Sequence, residues 1–173
     1  MNFIERSIDK IQSKTLSPTK YAKIKGVNIG KNCEIYRDVF WGSEPYLIKI
    51  GDNVRITNGV KFITHDGGIY VLRNTNKLQN ADLFGTIEIG NNVHIGMNVI
   101  IMPNVKIGNN VIIGCGAVVT KNIQDNSVAV GVPAKVIETI DEYYEKKKNE
   151  CDFTKKYSSK EKEQYLRKKY NIK

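Results

Sequence analysis

The sequence has no apolar run long enough to cross a membrane, and it contains few cysteines and histidines. A membrane-spanning helix needs about 20 consecutive apolar residues, so no membrane insertion is expected. The segment Met1–Arg6 does not have the basic and then apolar form of a secretory signal peptide. The three cysteines, Cys33, Cys115 and Cys151, are odd in number and widely spaced, which argues against a disulfide framework. We therefore expect a cytoplasmic protein.

Acidic residues are fewer than basic ones: the sequence has 18 Asp and Glu residues and 27 Lys and Arg residues, which gives a net charge of +9. A basic excess favours anionic partners such as nucleic acid, acidic lipid or a phosphate-bearing small molecule. Residues 138–173 contribute +3 of this charge, and the remaining +6 is spread over the rest of the chain. Because no dense basic block occurs, we expect no nucleic-acid partner.

A six-residue repeat occupies the middle of the sequence. Each unit opens with an aliphatic or aromatic residue, its second residue is often glycine, and its fifth residue is small or aliphatic. The opening residues are Ile29, Ile35, Trp41, Ile50, Ile56, Phe62, Ile89, Ile95, Ile101, Ile107, Ile113 and Val119. Twelve openings in one register, interrupted only twice, exclude a set of unrelated buried strands.

The spacing of the repeat predicts short strands joined by turns. Two apolar positions in six match neither the 3.6-residue period of a helix nor the plain alternation of a strand. The fifth position of one unit and the first of the next are separated by one residue, so both point to the same side of the strand. Three units close one triangular coil, and stacked coils pair strand on strand at about 4.8 Å. The sequence therefore predicts an all-β protein, a single-stranded parallel β-helix.

Two interruptions break the regular coils. The spacing between consecutive openings rises from six residues to nine after Trp41, around Gly42–Pro45, and to 27 after Phe62. A regular coil has no reason to break, so we predict a loop at about 63–86 that protrudes from a β-helix over residues 24–137. Long loops on rigid scaffolds often carry function.

The flanking segments are expected to be helical. Residues 1–23 are expected to form a helical or extended segment that leads to the first coil. Residues 138–173 are rich in Tyr, Lys and Glu and are expected to form a charged helical tail. A tail helix over 158–170 has Ser158 or Ser159 as its candidate N-cap. We expect the tail to pack across the β-helix or a neighbouring subunit, with partial disorder as the alternative.

Three motifs carry a family resemblance: Ile113–Lys121, Gly131–Lys135, and Thr64–Gly68 with Arg73 beyond it. With them the sequence, over roughly residues 24–137, resembles the hexapeptide-repeat acyltransferases, and its loop resembles that of sugar O-acetyltransferases acting on surface polysaccharide. The resemblance implies acetyl-CoA-dependent O-acetylation of a sugar hydroxyl in capsule or lipopolysaccharide biosynthesis. It also implies a left-handed parallel β-helix, against the usual right-handed crossover, and a homotrimer with active sites between subunits.

An acyltransferase needs a base for the acceptor proton, and the sequence offers two histidines. His65 opens the loop directly after a regular coil, and with the resemblance it is the predicted general base for direct transfer. His94 occupies the sixth position of a regular unit, so we expect it at the surface or lining the acceptor site. Asp66 could orient the imidazole of His65. Further candidates for orienting or for acceptor binding are Asp38, Asn58 and Arg73.

The resemblance also implies where coenzyme A binds. Its pantetheine arm suits a groove between parallel coils, lined largely by main-chain atoms of Gly96, Met97, Gly114, Cys115 and Gly116. Its phosphates are expected beside Thr120, Lys121 and Lys135, where lysine supplies a compact positive charge. Cys115 is interpreted as groove lining because the sequence places no histidine to activate it as a nucleophile.

Three alternatives use the same fold or related chemistry. A gamma-class carbonic anhydrase needs three histidines on zinc, and the two histidines exclude it, so no metal is expected. A non-catalytic β-helix scaffold would have no reason for the long loop. N-acetylation of an amino sugar, or acetylation of a streptogramin-type or chloramphenicol-type drug, stays open beside O-acetylation of a sugar.

Overall fold

The structure, a computed structural model, describes residues 3–173 and divides after Glu142 into two compact units. The first unit holds two N-terminal helices and the β-helix, and the second holds the end of the chain from Tyr143. Met1 and Asn2, which belong to the predicted segment 1–23, lie outside the described residues.

Two helices precede the first coil: α1 (Phe3–Thr15) and α2 (Pro18–Ile24). The end of α1 is fastened to the first coil by Arg37. Its guanidinium donates hydrogen bonds of 3.1–3.4 Å to the carbonyl oxygens of Ser13, Lys14 and Leu16. Carbonyl groups at a helix end have no partner within the helix, so a cationic donor stabilises them there.

The strands are short and lie in chain order at β1 (Asn28–Ile29), β2 (Glu34–Ile35), β3 (Ile48–Ile50), β4 (Arg55–Ile56), β5 (Lys61–Phe62), β6 (Ile87–Ile89), β7 (Val93–Ile95), β8 (Ile100–Ile101), β9 (Lys106–Ile107), β10 (Val111–Ile113), β11 (Val118–Val119), β12 (Ser127–Val130) and β13 (Lys135–Thr139). The first face of the coil is β1, β3, β6 and β9; the second runs from β2 through β4, β7 and β10 to β12; the third is β5, β8 and β11. Every pairing within these faces is parallel. The predicted parallel-stranded coil is thereby confirmed.

The core is a column made of the opening residues of the repeat. All twelve are buried. Opening residues of neighbouring coils are strand partners, as Ile56 and Ile95 are on the second face and Phe62 and Ile101 on the third. Trp41 stacks on Phe62 with the ring centroids 5.0 Å apart. A single coil could not bury its own apolar side, so each coil is stabilised by the next one.

Asparagine provides the left-handed backbone that the corners need. Seven corner asparagines have φ between 54° and 63°: Asn32, Asn53, Asn92, Asn98, Asn104, Asn110 and Asn126. Asparagine tolerates this region better than most other residues with a Cβ atom. Neighbouring side chains link the coils: Asn109 Oδ1 accepts from the Asn91 N–H, and Asp125 Oδ1 accepts from the Asn109 N–H, both at 2.8 Å. The bonds from Asn109 hold the pKa of Asp125 below its usual value.

The two interruptions lie on successive coils at one corner, between the third and the first face. The interruption after Trp41 contains a 3₁₀ turn at Pro45–Leu47. The longer one follows β5 and contains helix α3 (Ile69–Asn74). Its base is closed by an antiparallel bridge between His65 and Phe84. Both insertions therefore extend from the same edge of the coil.

The parallel stack ends where β12 pairs antiparallel with β13. Helix α4 (Ile140–Lys147) follows, and the second unit contains helix α5 (Ser159–Lys169). Of the two predicted N-cap candidates, Ser158 caps α5, in a capping box with Glu161. Among the helices of residues 3–173, none has both the length and the apolar character to cross a membrane.

Candidate active site

The two insertions enclose a cavity of about 380 Å³ at the corner between the third and first faces. Its volume lies in the range of small-molecule sites, roughly 300–1,000 Å³. The lining residues are Ser43, Glu44, His65, Asp66, Gly67, Arg73, Asp82, Leu83 and Phe84. The cavity thus collects the loop histidine and several charged side chains in one place.

A glutamate from the shorter insertion contacts the loop histidine. Glu44 Oε2 lies 3.2 Å from His65 Nδ1 and accepts a 2.7 Å hydrogen bond from the hydroxyl of the buried Thr64. The side chain of Glu44 is 16% exposed and that of His65 is 43% exposed. The carboxylate is therefore held in place from two sides, while the imidazole stays open to the cavity.

Gly42 lets the shorter insertion approach the loop this closely. Its φ is +72°, a conformation that residues with a Cβ rarely adopt. A Cβ added there would lie 2.8 Å from Thr64 Oγ1 and 2.9 Å from the carbonyl oxygen of Phe62. The positive φ and the lack of space for a Cβ both require glycine at the start of the shorter insertion. Because the backbone at Gly42 can lie this close to Phe62 and Thr64, Glu44 lies beside His65.

The contact decides which nitrogen of His65 can act on a substrate. A carboxylate can only accept, so the hydrogen bond to Glu44 places the N–H on Nδ1. The other ring nitrogen, Nε2, then carries a free lone pair while the imidazole is neutral. Chemically, the pair can remove a proton at Nε2 and stabilise the imidazolium that results.

Glu44 was not among the candidate residues predicted from the sequence, whereas Asp66 was. Asp66 Oδ1 accepts a 2.8 Å hydrogen bond from the Gly68 N–H, and within residues 3–173 it makes no hydrogen bond to His65. The signal for Glu44 was present in the repeat: the spacing increases after the third opening and again after the sixth, one coil later. Two insertions one coil apart must extend from the same corner.

The other loop and acceptor candidates fall in two places. Arg73 lines the cavity, and its Nη1 donates to the carbonyl oxygen of Ala81 at 2.6 Å and to Asp82 Oδ1 at 2.7 Å. Asp38 and Asn58 are exposed at the corner between the second and third faces. The structure therefore does not bring Asp38 and Asn58 together with His65.

His94 lies outside this cavity. It is on β7, half-buried, with Arg55 and Ile112 as its strand partners on either side. Burial and, secondly, the charge of Arg55 lower the pKa of His94 below its ordinary value. His94 is therefore neutral near pH 7, and it lines a separate depression on the second face together with Arg55.

The residues predicted to line the coenzyme groove lie together at the corner between the second and third faces. The Gly96 N–H donates to the carbonyl oxygen of Ile113 at 2.8 Å, and the Gly116 N–H donates to that of Met97 at 2.7 Å. A Cβ on Gly96 would lie 2.7 Å from the backbone nitrogen of Cys115, so this stacking needs glycine. Met97, Cys115 and Gly116 are exposed. The corner thus offers main-chain atoms to a ligand with little side-chain cover.

Of the three residues predicted to contact phosphates, Lys135 lies near the groove corner, whereas Thr120 and Lys121 lie at the other end of the third face, at the corner between the third and the first faces. Thr120 and Lys121 follow β11, and Lys135 begins β13 directly after Ala134, whose N–H donates to the carbonyl oxygen of Val118 at 2.8 Å. All three are exposed. In the part of the chain that the structure describes, neither lysine has an ion-pair partner. Both ammonium groups are therefore available to an anionic ligand.

Similarity to known proteins decides the family. The model of the family "Bacterial transferase hexapeptide (six repeats)" matches residues 86–121. Protein CapG of Staphylococcus aureus is 48% identical over 164 residues, covering 93% of each chain. This chain belongs to the bacterial hexapeptide-repeat transferases. Membership confirms the resemblance to the hexapeptide-repeat acyltransferases, and it implies the left-handed winding predicted for the coil.

Solved structures of similar fold agree with this membership. A maltose O-acetyltransferase from Clostridium difficile 630 has a TM-score of 0.62 and 29% identity, with 78% of this chain and 83% of that chain covered. A galactoside acetyltransferase in complex with coenzyme A has a TM-score of 0.64 and 27% identity, with 82% of each chain covered. This member of the hexapeptide-repeat transferases is accordingly an acyltransferase.

Proposed function

We propose that this acyltransferase moves the acetyl group of acetyl-CoA to a hydroxyl group of a sugar, with His65 as general base and Glu44 as the residue that positions it. The observation that carries the proposal is the 3.2 Å contact between Glu44 Oε2 and His65 Nδ1 at the edge of an open polar cavity. Transfer is direct: the acceptor oxygen attacks the thioester while His65 Nε2 removes its proton. The thiolate of coenzyme A then leaves and is protonated by the imidazolium.

The oxyanion formed during the attack needs a hydrogen-bond donor. The Gly96 N–H is already bonded to the Ile113 carbonyl oxygen. The N–H of Met97 donates to no group within residues 3–173, and Met97 lies at the groove corner. Met97 is therefore the donor assigned to the oxyanion, and the pantetheine arm is assigned to the corner formed by Gly96, Gly114 and Gly116.

One subunit does not bring these two halves of the site together. His65 lies at the corner between the third and first faces, whereas Gly96 and Met97 lie at the corner between the second and third. The whole third face separates them, a width of roughly 15–20 Å for about six residues of strand and turn. We therefore assign a site shared between subunits, in which the groove of one subunit meets His65 of its neighbour, and we assign three subunits on the family resemblance.

The homotrimer predicts a solution mass of three times 19.6 kDa. Sedimentation or light scattering at working concentration measures this mass directly. A second test mixes two inactive variants, His65→Ala and the groove-filling Cys115→Trp, after unfolding and refolding them together. Shared sites regain a fraction of the activity, because some interfaces then combine two intact halves. A mass of one chain, or a mixture that stays inactive although it assembles, contradicts the arrangement.

The lining of the cavity supports a sugar as acceptor. Carboxylate oxygens of Glu44 and Asp66 can accept from hydroxyl groups, and the half-exposed ring of Phe84 offers an apolar surface for a sugar's C–H groups. We place the acceptor in capsule or lipopolysaccharide synthesis, in the cytoplasm, on the loop's resemblance to acetyltransferases of surface polysaccharide. An acetyl-CoA consumption screen over free sugars, nucleotide sugars and capsule fragments tests this proposal, and absence of turnover with every sugar contradicts it.

An amino sugar is the second candidate acceptor, because the carboxylates of the cavity would also attract an ammonium group. The two products differ chemically: an O-acetyl ester is cleaved by hydroxylamine at neutral pH, whereas an N-acetyl amide is stable. Mass spectrometry of the product before and after this treatment separates the two candidates.

The lysine pair predicts how coenzyme binding can be weakened. Changing both Lys121 and Lys135 to alanine should raise the KM for acetyl-CoA with little change in kcat, because the lost charges contact phosphates far from the thioester. The effect should be smaller with the 3′-dephospho form of acetyl-CoA. Lys31→Ala with Lys49→Ala, two exposed lysines away from the groove, is the matched control. Equal KM values for the Lys121/Lys135 variant and the wild type would leave both lysines without this role.

A further inference from the structure

We infer that the cavity around His65 selects uncharged acceptors and discriminates against acceptors that carry a carboxylate or phosphate close to the reacting hydroxyl. This inference rests on the proposed function, since it concerns the acceptor of that reaction. It comes from the distribution of charge in the cavity, which is opposite in sign to the net charge of +9 of the whole chain.

The cavity contains three carboxylates and one guanidinium. The guanidinium, Arg73, is already engaged: its Nη1 lies 2.7 Å from Asp82 Oδ1 and 2.6 Å from the Ala81 carbonyl oxygen. Asp82 and Arg73 therefore neutralise each other. What remains is Glu44 and Asp66, and neither has a Lys or Arg partner within residues 3–173.

The hydrogen-bonding capacity of these two carboxylates also favours an uncharged acceptor. Glu44 uses Oε2 for Thr64 and His65, and Asp66 uses Oδ1 for the Gly68 N–H. Within the described part of the chain, Glu44 Oε1 and Asp66 Oδ2 accept no hydrogen bond. Free carboxylate oxygens suit the hydroxyl groups of a neutral sugar, which can donate to them. An anionic group has no proton to donate, and no uncommitted cation in the lining offsets its charge.

Charge is thereby divided between the two halves of the site. The exposed Lys135 lies near the corner assigned to the polyanionic coenzyme, and the unpaired carboxylates lie where the acceptor must approach His65. Lys121 is two coils beyond His65 at the same corner of the coil and does not line the cavity. Repulsion between like charges falls off within about 8–10 Å at physiological ionic strength. The selection therefore acts on an anionic group near the reacting hydroxyl and not on one far along a longer saccharide.

The test compares pairs of acceptors that differ only in charge. Acetyl-CoA is kept saturating, so that added salt changes the rate only through binding and reaction of the acceptor. For whichever sugar is acetylated, its methyl glycoside is compared with its 1-phosphate, and its uronamide with its uronate. We expect kcat/KM to be about tenfold or more higher for the neutral member of each pair. We expect the gap to narrow in 0.5 M salt, because salt screens the repulsion.

Three variants separate the cavity from the rest of the surface. Asp66→Asn should reduce the difference in kcat/KM between neutral and anionic acceptors, because it removes one unpaired charge while keeping the side chain's shape. Asp82→Asn should narrow it further, because it also frees the guanidinium of Arg73 to meet an anion. Asp141→Asn, which removes an exposed carboxylate on α4, should leave the ratio unchanged. An anionic acceptor used as well as its neutral partner by the wild type, or an effect of Asp141→Asn equal to that of Asp66→Asn, overturns the inference. If no sugar of any charge is acetylated, the proposed function fails together with it.

Discussion

Replacing His65 with alanine is expected to lower kcat by about 10²–10⁴-fold, the usual contribution of a general base. The variant should still bind coenzyme A, because the contacts assigned to the coenzyme come from the groove corner and the lysines and not from the His65 side chain. Stopped-time assays of acetyl transfer measure kcat, and equilibrium binding of coenzyme A to the variant measures the second expectation.

The matched control for this change is His94→Ala. His94 lies on the second face, away from the cavity, so its loss should cost far less in kcat. Direct transfer also predicts that no acetyl-enzyme accumulates. Mass spectrometry that finds acetyl on Cys115 during turnover would replace the direct scheme with a covalent one. Near wild-type turnover by His65→Ala would remove the histidine from the mechanism altogether.

The second large effect is expected at Glu44. Glu44→Gln keeps the size of the side chain but loses the negative charge that stabilises the imidazolium and favours the N–H on Nδ1. We expect kcat to fall by about 10²–10⁴-fold; replacing the aspartate partner of a catalytic histidine by asparagine marks the upper end of this range. KM for acetyl-CoA should change little, because the glutamate lies on the acceptor side of the site. Glu44→Asp should recover part of the loss.

A double variant distinguishes positioning from a merely structural role. If Glu44 acts through His65, then Glu44→Gln on top of His65→Ala should cost almost nothing more, because residues that act as a unit are not additive. Glu88→Gln, on the first face and paired with Lys106 at 3.7 Å, is the control for losing a carboxylate elsewhere. Additive losses in the double variant, or a large drop in thermal stability of Glu44→Gln, would assign the glutamate to folding.

The sequence by itself predicted the coil, the parallel pairing of its strands and the family of the protein. A six-residue pattern is a local property. Each opening residue, such as Ile95 or Ile107, is apolar because its own side chain points into the coil, and the pattern can be recognised without knowing which strands pair. The interruptions were equally visible, because they are departures from that pattern. His65 could be singled out because it opens the loop, because the loop resembles that of sugar O-acetyltransferases, and because the sequence has only one other histidine, His94.

The partner of His65 and the division of the site were decided by the tertiary structure alone. Glu44 is 21 residues from His65 along the chain, and the two meet because successive coils stack their insertions at one corner and Gly42 permits the close approach. Asp66 is adjacent in sequence, yet its carboxylate turns to the Gly68 N–H. The separation of His65 from Gly96 likewise depends on the corner of the coil at which each residue lies. The corners exist only because three repeats close one coil, so no single repeat determines this separation.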